Sequence, residues 1–486
     1  MIPPLALELA VVCLGIFLLM MDAFSPQTDK RFFAVTGAAG LLLVLVASFF
    51  VGQVPASVEA MGFYVADPAG MFFKRFALVA TIFVVLMAAD FSPVFSRYVP
   101  AARSGAGLGE FFTLPIFACA GLMWMATAAD FIMIFVSLEL VTVTFYVLVA
   151  SMRKNKASLE AGVKYLILGA LSTGFLVYGV TWIFGMTGQT SLDGIAQVVR
   201  ELAPEGRIPL LFGFGLVLVA LGFKVAAVPF QFWVPDVYQG APTPVTAYLS
   251  VASKAAGFIV LLRVVEPFLG AASMRGEVLL ALTVLAGLTL VYGNFAAMPQ
   301  TNFKRLLAYS SIAHAGYLLM AVASVTVDPG GPSIIGVVGF YLGGYLFATL
   351  GAFMVLVLVT RAAGSDEISD FAGLAKRAPF LAVCLLVAML SLVGLPFTAG
   401  FAGKFLVFEA AIGAGQFVLV GIGLVSVACG FYYYLKVVRA MFWQAPPEGS
   451  AAIEAPATTR LALWVLSIAT IVFGIYPLPL LAQFGR

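Results

Sequence analysis

Long apolar runs, separated by short polar segments, occupy almost the whole chain. A helix needs about 20 consecutive, mostly apolar residues to cross the hydrocarbon core of a bilayer. Runs of that length recur through all 486 residues, from residues 3–23 to residues 459–482. We therefore predict an all-α, polytopic membrane protein with about fourteen transmembrane helices.

The composition excludes a soluble domain. Hydrophobic residue types make up 62% of the chain and charged types only 10%. Too little polar surface would remain to face water. Two short polar segments, Ser191–Leu202 and Ser365–Arg377, are interpreted as surface helices. A chain with so little mass outside the membrane is expected to do its work inside the bilayer.

The chain lacks the sequence patterns of a redox or nucleotide-binding protein. Its four cysteines lie far apart in apolar runs, at Cys13, Cys119, Cys384 and Cys429, and it has one histidine. Without paired cysteines or a glycine-rich phosphate loop, we expect no iron–sulfur, haem, metal or nucleotide site on this chain. The net charge of +3 is spread over many loops, so it does not indicate a nucleic-acid partner.

Lysine and arginine predict the orientation. They are more frequent in the odd-numbered loops, as at Arg153 and Lys154 or at Lys304 and Arg305. These loops should face the cytoplasm, and an even number of helices then places both termini outside, in the periplasm. The pair at 74–75 counts against this orientation. The first run has no basic start and carries a glutamate, so we interpret it as a spanning helix and not as a signal peptide.

Two proline-containing triplets suggest broken helices. Val228–Phe230 (VPF) lies in the seventh apolar run, and Leu395–Phe397 (LPF) lies in the twelfth, five helices later. A proline frees a backbone carbonyl, which a membrane tolerates only where it faces protein or a water-filled cavity. Pro229 and Pro396 are therefore predicted helix breaks. A five-helix unit has an odd number of spans, so two consecutive copies would be inverted relative to each other.

Six ionisable residues lie inside the apolar runs. A charge at mid-bilayer costs about 2.5–3.5 kcal/mol on insertion scales, so such residues commonly mark function. They are Glu139, Lys164, Lys224, Lys254, His314 and Lys404. Burial favours the neutral form of a lysine, whereas a nearby carboxylate favours the charged form. The sequence thus predicts a proton path in which Glu139 and Lys224 form an electrostatic switch.

Structural roles remain open for several of these residues. Lys164 follows Glu160 by four residues and could form an ion pair near the membrane surface. His314 could be a neutral core histidine bonded to a serine or to a backbone carbonyl. Lys254 could be a structural counter-ion.

Several motifs resemble those of one family. "WVPDVYQGAPTPV", "SLEAGVKY", "LLAYSSIAHAGYL" and "GLPFTAGFAGKF" are similar to the antiporter-like membrane subunits of respiratory complex I, in particular the subunit N type. The resemblance covers roughly residues 110–445. It implies fourteen helices in four parts: three N-terminal helices (1–108), two inverted five-helix repeats with broken helices 7 and 12 (109–265 and 278–442), and a C-terminal helix (459–486).

The resemblance also implies roles and partners. By motif, proton transfer falls to Glu139, Lys224, Lys254 and Lys404, and secondarily to Lys164 and His314. FMN, iron–sulfur clusters and quinone are expected on other subunits and no cofactor on this chain. The expected partners are a second antiporter-like subunit and small membrane subunits in a bacterial inner membrane.

Three other functions fit the sequence less well. A subunit of a multi-component sodium/proton antiporter or of a membrane-bound hydrogenase would share the fold, but "DVYQGAP" favours complex I. A free-standing solute carrier would need no partners. A structural scaffold would not need a row of buried ionisable groups.

Overall fold

The computed structural model describes residues 2–25, 30–52, 62–99, 107–201, 206–325, 333–447 and 452–484. Over these ranges the chain is helical and forms no β-strand beyond four isolated bridges. The helices before the first break are α1 (Leu5–Phe24), α2 (Arg31–Ala47), α3 (Pro68–Tyr98), α4 (Leu108–Thr127), α5 (Phe131–Val149), α6 (Lys156–Thr187), α7 (Leu192–Glu201) and α8 (Arg207–Val225).

The second half continues with short and long helices. These are α9 (Trp233–Gly240), α10 (Thr243–Tyr248), α11 (Lys254–Leu269), α12 (Arg275–Ala297), α13 (Phe303–Val322), α14 (Ile334–Ala363), α15 (Leu374–Arg377), α16 (Pro379–Val393), α17 (Ala399–Gly413), α18 (Phe417–Trp443), α19 (Ala457–Ile475) and α20 (Leu478–Leu481). A π-helical turn, Leu249–Ser253, joins α10 to α11.

The all-α, polytopic membrane architecture is confirmed. In the described part of the chain, twelve helices are long and apolar enough to cross a membrane. The remaining two predicted spans are α13, which polar residues make less apolar, and the pair α16 and α17, which an interruption divides. The total of fourteen spans and the inverted repeats stay predictions.

The helices form a buried centre and an apolar rim. The segment from α10 to α11 and helices α13 and α14 are buried along nearly their whole length. Helices α1, α6 and α19 expose large apolar side chains, such as Phe17, Ile167 and Leu461. An exposed apolar rim suits a lipid environment, and it leaves the polar residues of α13 and α11 in the interior.

Two interruptions lie inside predicted spans. Helix α8 ends at Val225, and Ala226 adopts a left-handed conformation with φ of 67° before Pro229 is reached. Helix α16 ends at Val393, and Gly394 follows with φ of 91°, a conformation that glycine adopts without a steric penalty. Pro396 lies between this turn and the start of α17. Each interruption frees backbone carbonyls at a buried helix end, whereas Pro229 and Pro396 themselves are exposed.

One predicted surface element was wrong in its form. The segment predicted as a single helix over Ser365–Arg377 is a 3₁₀ turn, Ile368–Phe371, followed by α15. Ala372 ends the turn, and the left-handed Gly373, with φ of 62°, precedes α15, so the two helical segments do not join. The other predicted surface helix is α7; Leu202, its predicted last residue, lies outside the described residues.

Candidate functional site

Lys224 lies in the last turn of α8, next to the first interruption, and only 5% of it is exposed. Its Nζ donates a hydrogen bond to Thr142 Oγ1 of α5 at 3.2 Å. Protein groups bond to the interrupted backbone itself. Trp233 Nε1 donates to the Phe223 carbonyl at 3.1 Å, and the Val228 amide donates to Thr289 Oγ1 at 2.9 Å. The interruption is therefore held by side chains of the chain itself.

Glu139 lies three residues before Thr142, on the same face of α5. It is half-buried, and its Oε1 accepts a hydrogen bond from Thr173 Oγ1 of α6 at 2.7 Å. Among the described residues, Glu139 and Lys224 do not form a direct ion pair. The structure places the carboxylate and the ammonium along one helix face, with the Thr142 hydroxyl bound to the ammonium.

Lys254 is the first residue of α11 and is 2% exposed. Its Nζ donates to the carbonyl and to the hydroxyl of Ser311 on α13, and lies 5.6 Å from the ring centre of Tyr345. Gly257, one turn later, faces Lys224: a Cβ at that glycine would lie 3.2 Å from Lys224 Cγ. One face of α11 therefore carries Lys254 and packs against Lys224.

His314 lies at the centre of α13, surrounded by tyrosines. Its Nδ1 shares a hydrogen bond of 2.7 Å with the Tyr341 hydroxyl, and its Nε2 shares one of 3.1 Å with the Tyr434 hydroxyl. Its ring centre is 4.9 Å from that of Tyr345, the ring that Lys254 also contacts. His314 is bonded to tyrosines, and not to the serine or backbone carbonyl that the structural alternative named.

Lys404, on α17, reaches back across the second interruption. Its Nζ donates to the Leu392 carbonyl at 3.1 Å and to the Val393 carbonyl at 2.6 Å, at the C-terminus of α16. A cation is favoured there because the free carbonyls carry partial negative charge. The ammonium also lies 5.0 Å from the ring centre of Tyr317.

A small cavity lies between His314 and this interruption, with room for about one water molecule. Its lining comes from α13, α14, α16 and α17 and consists of His314, Tyr341, Gly344, Tyr345, Ala348, Ser391, Leu392 and Gly400. Lys224, Lys254, His314 and Lys404 thus form one buried band, hereafter the lysine band. Lys224 packs against Gly257, one turn from Lys254, and Lys254 and His314 both contact Tyr345. Lys404 binds the carbonyl of Leu392, a residue that lines the cavity together with His314.

Lys164 lies apart from the lysine band. Its side chain is 41% exposed and forms ion pairs with Glu160 at 2.7 Å and with Asp236 at 2.6 Å. Asp236 also pairs with Arg305 at 2.9 Å. Burial alone would raise the pKa of Asp236, but the hydrogen bonds from Lys164 and Arg305 outweigh it and place that pKa below its usual value. In this structure Lys164 is part of a peripheral ion-pair network.

A family comparison identifies the class of protein. The family model described as "NADH:quinone oxidoreductase/Mrp antiporter, TM" matches residues 128–430, which contain every member of the lysine band. The chain belongs to this family.

Individual members of the NADH:quinone oxidoreductase/Mrp antiporter family match almost the whole chain. NADH-quinone oxidoreductase subunit N of Moorella thermoacetica is 41% identical over 481 residues, covering 98% of this chain and 96% of the relative. A chain of respiratory complex I from Thermus thermophilus with bound Aureothin superposes with a TM-score of 0.79 at 33% identity, covering 99% of this chain and 100% of that chain. The Mrp complex from Dietzia sp. DQ12-45-1b contains a chain with a TM-score of 0.77 at 21% identity, covering 99% and 96%, which shows a shared fold alone. The resemblance to complex I membrane subunits is confirmed.

Sequence reasoning missed the hydroxyl groups that complete the site in this family member. Thr142 and Ser311 lie three residues from Glu139 and His314 respectively, so helical spacing alone could have suggested them. The tyrosines at 341, 345 and 434 lie on other helices. No local signal connects them to the charged residues.

A buried ion pair in the N-terminal helices was not predicted from the sequence. Glu8 of α1 and Lys74 of α3 are both fully buried, and Lys74 Nζ lies 2.7 Å from Glu8 Oε1. Tyr64 and the Pro4 carbonyl complete the surroundings of the ammonium. This pair lies in the N-terminal helices, outside the residues that the family model matches.

The described residues contain no group of three or more His, Cys, Asp or Glu side chains that could hold a metal ion. All four cysteines are free, and Cys119 and Cys384 are buried. The ionisable groups of the lysine band are suited to proton transfer, since ammonium, imidazole and hydroxyl groups exchange protons.

Proposed function

We propose that this chain is a proton-translocating, non-redox membrane subunit of NADH-quinone oxidoreductase, complex I. The observation that carries the proposal is the lysine band, in which three buried lysines and a histidine follow one another through the interior. The relatives at about 40% identity are named NADH-quinone oxidoreductase subunit N. Electron transfer from NADH to quinone would take place on other subunits, which would hold FMN, the iron–sulfur clusters and quinone.

In this proposal Glu139, Lys224, Lys254 and Lys404 transfer protons, with His314 between the last two. A neutral lysine accepts a proton and an ammonium releases one, and each change alters the electrostatic energy of its neighbours. Glu139 acts on Lys224 through charge, since Thr142 binds the ammonium and no direct ion pair forms. Lys164 holds a secondary, peripheral place because of its exposure and its two ion pairs.

The energy must come from outside the chain. Moving one elementary charge against 100 mV takes about 2.3 kcal/mol. We propose that it arrives through contacts with a second antiporter-like subunit and with small membrane subunits. The membrane would be the bacterial inner membrane, with both termini on the periplasmic side.

The proposed organisation follows the sequence expectation. Residues 1–108 supply three N-terminal helices, 109–265 and 278–442 are two inverted five-helix repeats, and 459–486 form a C-terminal helix. The two interruptions, one in each proposed repeat, support this division. The two interruptions differ in the position of their lysine: Lys224 comes before the first interruption, and Lys404 comes after the second.

A subunit of a sodium/proton antiporter or of a membrane-bound hydrogenase is the disfavoured alternative. The likeness to the Mrp complex is 21% in sequence and concerns the fold. By contrast, two relatives that are 41% identical in sequence are named NADH-quinone oxidoreductase subunit N.

The test is Lys224→Ala in the intact complex, reconstituted into vesicles. We expect proton pumping and quinone-linked NADH oxidation to fall while the complex still assembles, because the band loses its ammonium at α8. Lys156→Ala is the matched control, since Lys156 is exposed at the start of α6. Normal pumping by a normally assembled Lys224→Ala complex would contradict the proposal.

A further inference from the structure

Tyr434 connects the lysine band to polar groups outside it. It lies on α18, is 1% exposed, and its hydroxyl shares hydrogen bonds with His314 Nε2 at 3.1 Å and with Ser310 Oγ. No other tyrosine of the described chain has a hydroxyl bonded to two side chains of α13. Ser310 precedes His314 by one helical turn, so the three groups form a continuous hydrogen-bonded row along α13.

We propose that Tyr434 is a proton-relay residue that opens a side branch of the lysine band at His314. The inference rests on the proposed function, because a relay has meaning only if the band carries protons. The branch would lead from His314 through Tyr434 and Ser310 toward the end of α13 that holds Arg305.

The chemistry needs no change in the net charge of the tyrosine. A phenol hydroxyl has one proton to donate and lone pairs to accept another. As the N–H bond of a protonated His314 breaks, a new O–H bond forms on Tyr434. The original O–H bond of Tyr434 breaks at the same time, and its proton forms a bond to the Ser310 oxygen. The original O–H bond of Ser310 breaks in turn, and its proton passes to a water molecule on the side of α13 that holds Arg305. His314, Tyr434 and Ser310 all end neutral, and the positive charge lies on that water.

His314 is placed to act as the branch point. A neutral imidazole has one donor and one acceptor nitrogen, so of its two tyrosine partners one donates to the ring and the other accepts from it. Tyr341 faces the small cavity beside the second interruption, whereas Tyr434 faces Ser310. When a proton passes through the ring, the donor nitrogen becomes the acceptor and the acceptor becomes the donor. The ring thereby couples the Tyr341 side, at the cavity, to the Tyr434 side, at Ser310.

Other polar groups lie beyond Ser310, toward one end of the bundle, and the proposed branch needs water to bridge from the Ser310 hydroxyl to them. The Tyr433 hydroxyl, on the neighbouring ring 4.4 Å away, donates to Asn294 Oδ1 at 3.2 Å. Lys436, further along α18, donates to the Gln300 carbonyl at 2.8 Å just beyond α12. Arg305 lies five residues before Ser310, about 7.5 Å along the helix, and pairs with the partly exposed Asp236. This is the end of the bundle that we predict to face the cytoplasm.

A purely structural role would also explain a tyrosine that ties α18 to α13. Tyr317 forms such a tie, donating to the Gly423 carbonyl at 3.1 Å. The two roles differ in what the loss of a hydroxyl changes. A structural tie should lower the amount or the melting temperature of the assembled complex, whereas a relay link should lower pumping per assembled complex. Two links of one relay also act in series, so removing both should slow pumping no more than removing one.

The experiment measures NADH-driven proton pumping by the intact complex in vesicles carrying a pH-sensitive dye. Tyr434→Phe and Ser310→Ala remove only hydroxyl oxygens, and each should lower pumping about three- to tenfold. That is less than the roughly 10²–10⁴-fold of an obligatory proton-transfer group, because water can replace a missing hydroxyl in part. The double variant should pump no more slowly than the slower single variant. Tyr432→Phe is the matched control, since Tyr432 is 61% exposed and should leave pumping unchanged.

Three outcomes would overturn the inference: normal pumping by Tyr434→Phe, losses that multiply in the double variant, or a loss that matches a fall in assembled complex. Lys254→Ala, measured in parallel, separates this failure from failure of the proposed function. If Lys254→Ala lowers pumping and Tyr434→Phe does not, only the branch is wrong. If Lys254→Ala also pumps normally, the lysine band itself does not carry protons.

Discussion

Each lysine of the lysine band has its own set of acceptors. Lys224 binds a threonine hydroxyl, Lys254 binds a serine carbonyl and hydroxyl, and Lys404 binds two carbonyls at the end of α16. A buried ammonium needs such partners, because an unpaired charge in an apolar interior is strongly unfavourable. Every acceptor here is uncharged. The three lysines therefore keep enough partners to stay buried without the tight ion pair that would fix their charge.

At the residue scale we predict that the charge of Glu139 matters more than its shape. Glu139→Gln keeps an oxygen that can accept from Thr173 but removes the charge that acts on Lys224. Proton pumping by the reconstituted complex should fall nearly as far as in Glu139→Ala. Glu454→Gln, in an exposed position outside the helices, serves as the control and should pump normally. Pumping at the wild-type rate by Glu139→Gln would rule out the electrostatic switch.

At the scale of elements, the first interruption depends on contacts from other helices. Ending α8 at Val225 leaves backbone groups that the helix no longer bonds. The Phe223 carbonyl is bonded by Trp233 Nε1 and the Val228 amide by the Thr289 hydroxyl of α12. Buried backbone groups without partners cost about 1–3 kcal/mol each. The turn also bonds to itself, since the Ala226 amide donates to the Phe223 carbonyl at 3.2 Å and the Ala227 amide to the Gly222 carbonyl at 2.8 Å. The interruption is thus stabilised by its own turn together with contacts from α9 and α12.

Thr289→Val tests this account, since it preserves shape and leaves the Val228 amide without its acceptor. We expect the protein to lose about 1–3 kcal/mol of stability, measured as a lower melting temperature in detergent. Thr181→Val is a close control. Both threonine hydroxyls donate to the carbonyl four residues earlier, Thr289 to Leu285 and Thr181 to Val177, but Thr181 is exposed. Equal shifts in the two variants would mean that the Val228 contact contributes nothing.

At the scale of the whole molecule, the N-terminal helices carry a buried charge pair of their own. Glu8 and Lys74 join α1 to α3, far in sequence from the lysine band. Removing one partner of a buried pair typically costs about 3–5 kcal/mol, because the other charge is left uncompensated. The pair ties α1, which packs mainly on α4 and α2, to α3. The rim of exposed apolar side chains then leaves lipid or neighbouring membrane subunits to cover the outer surface.

We also predict that the isolated chain is redox-inactive. The described residues offer no cluster of metal ligands, and the sequence has no glycine-rich nucleotide loop. Purified alone in detergent, the protein should be colourless and should not oxidise NADH, as absorbance spectra, metal analysis and an NADH assay would establish. Stoichiometric flavin or iron in the isolated chain would refute this prediction. A neighbouring redox subunit purified in the same way provides the positive control.

The sequence by itself determined the class of protein, the helices and the family. Apolar runs of membrane length have one stable outcome in a bilayer, since a helix bonds its own backbone and needs no partner strand. The ionisable residues within those runs were equally visible, because each stands out against its apolar neighbours. The motifs around Asp236 and Lys404 led to the family that the comparisons confirm.

Only the tertiary structure decided how those residues meet. Helical spacing relates residues on one helix but carries no information about which face of another helix lies opposite. The sequence therefore did not show that Lys164 pairs with Asp236, or that Glu8 pairs with Lys74, which lies 66 residues later in the chain. His314 gained tyrosine partners from α14 and α18 by the same packing. These contacts depend on how the helices pack together, and that packing is a property of the whole chain.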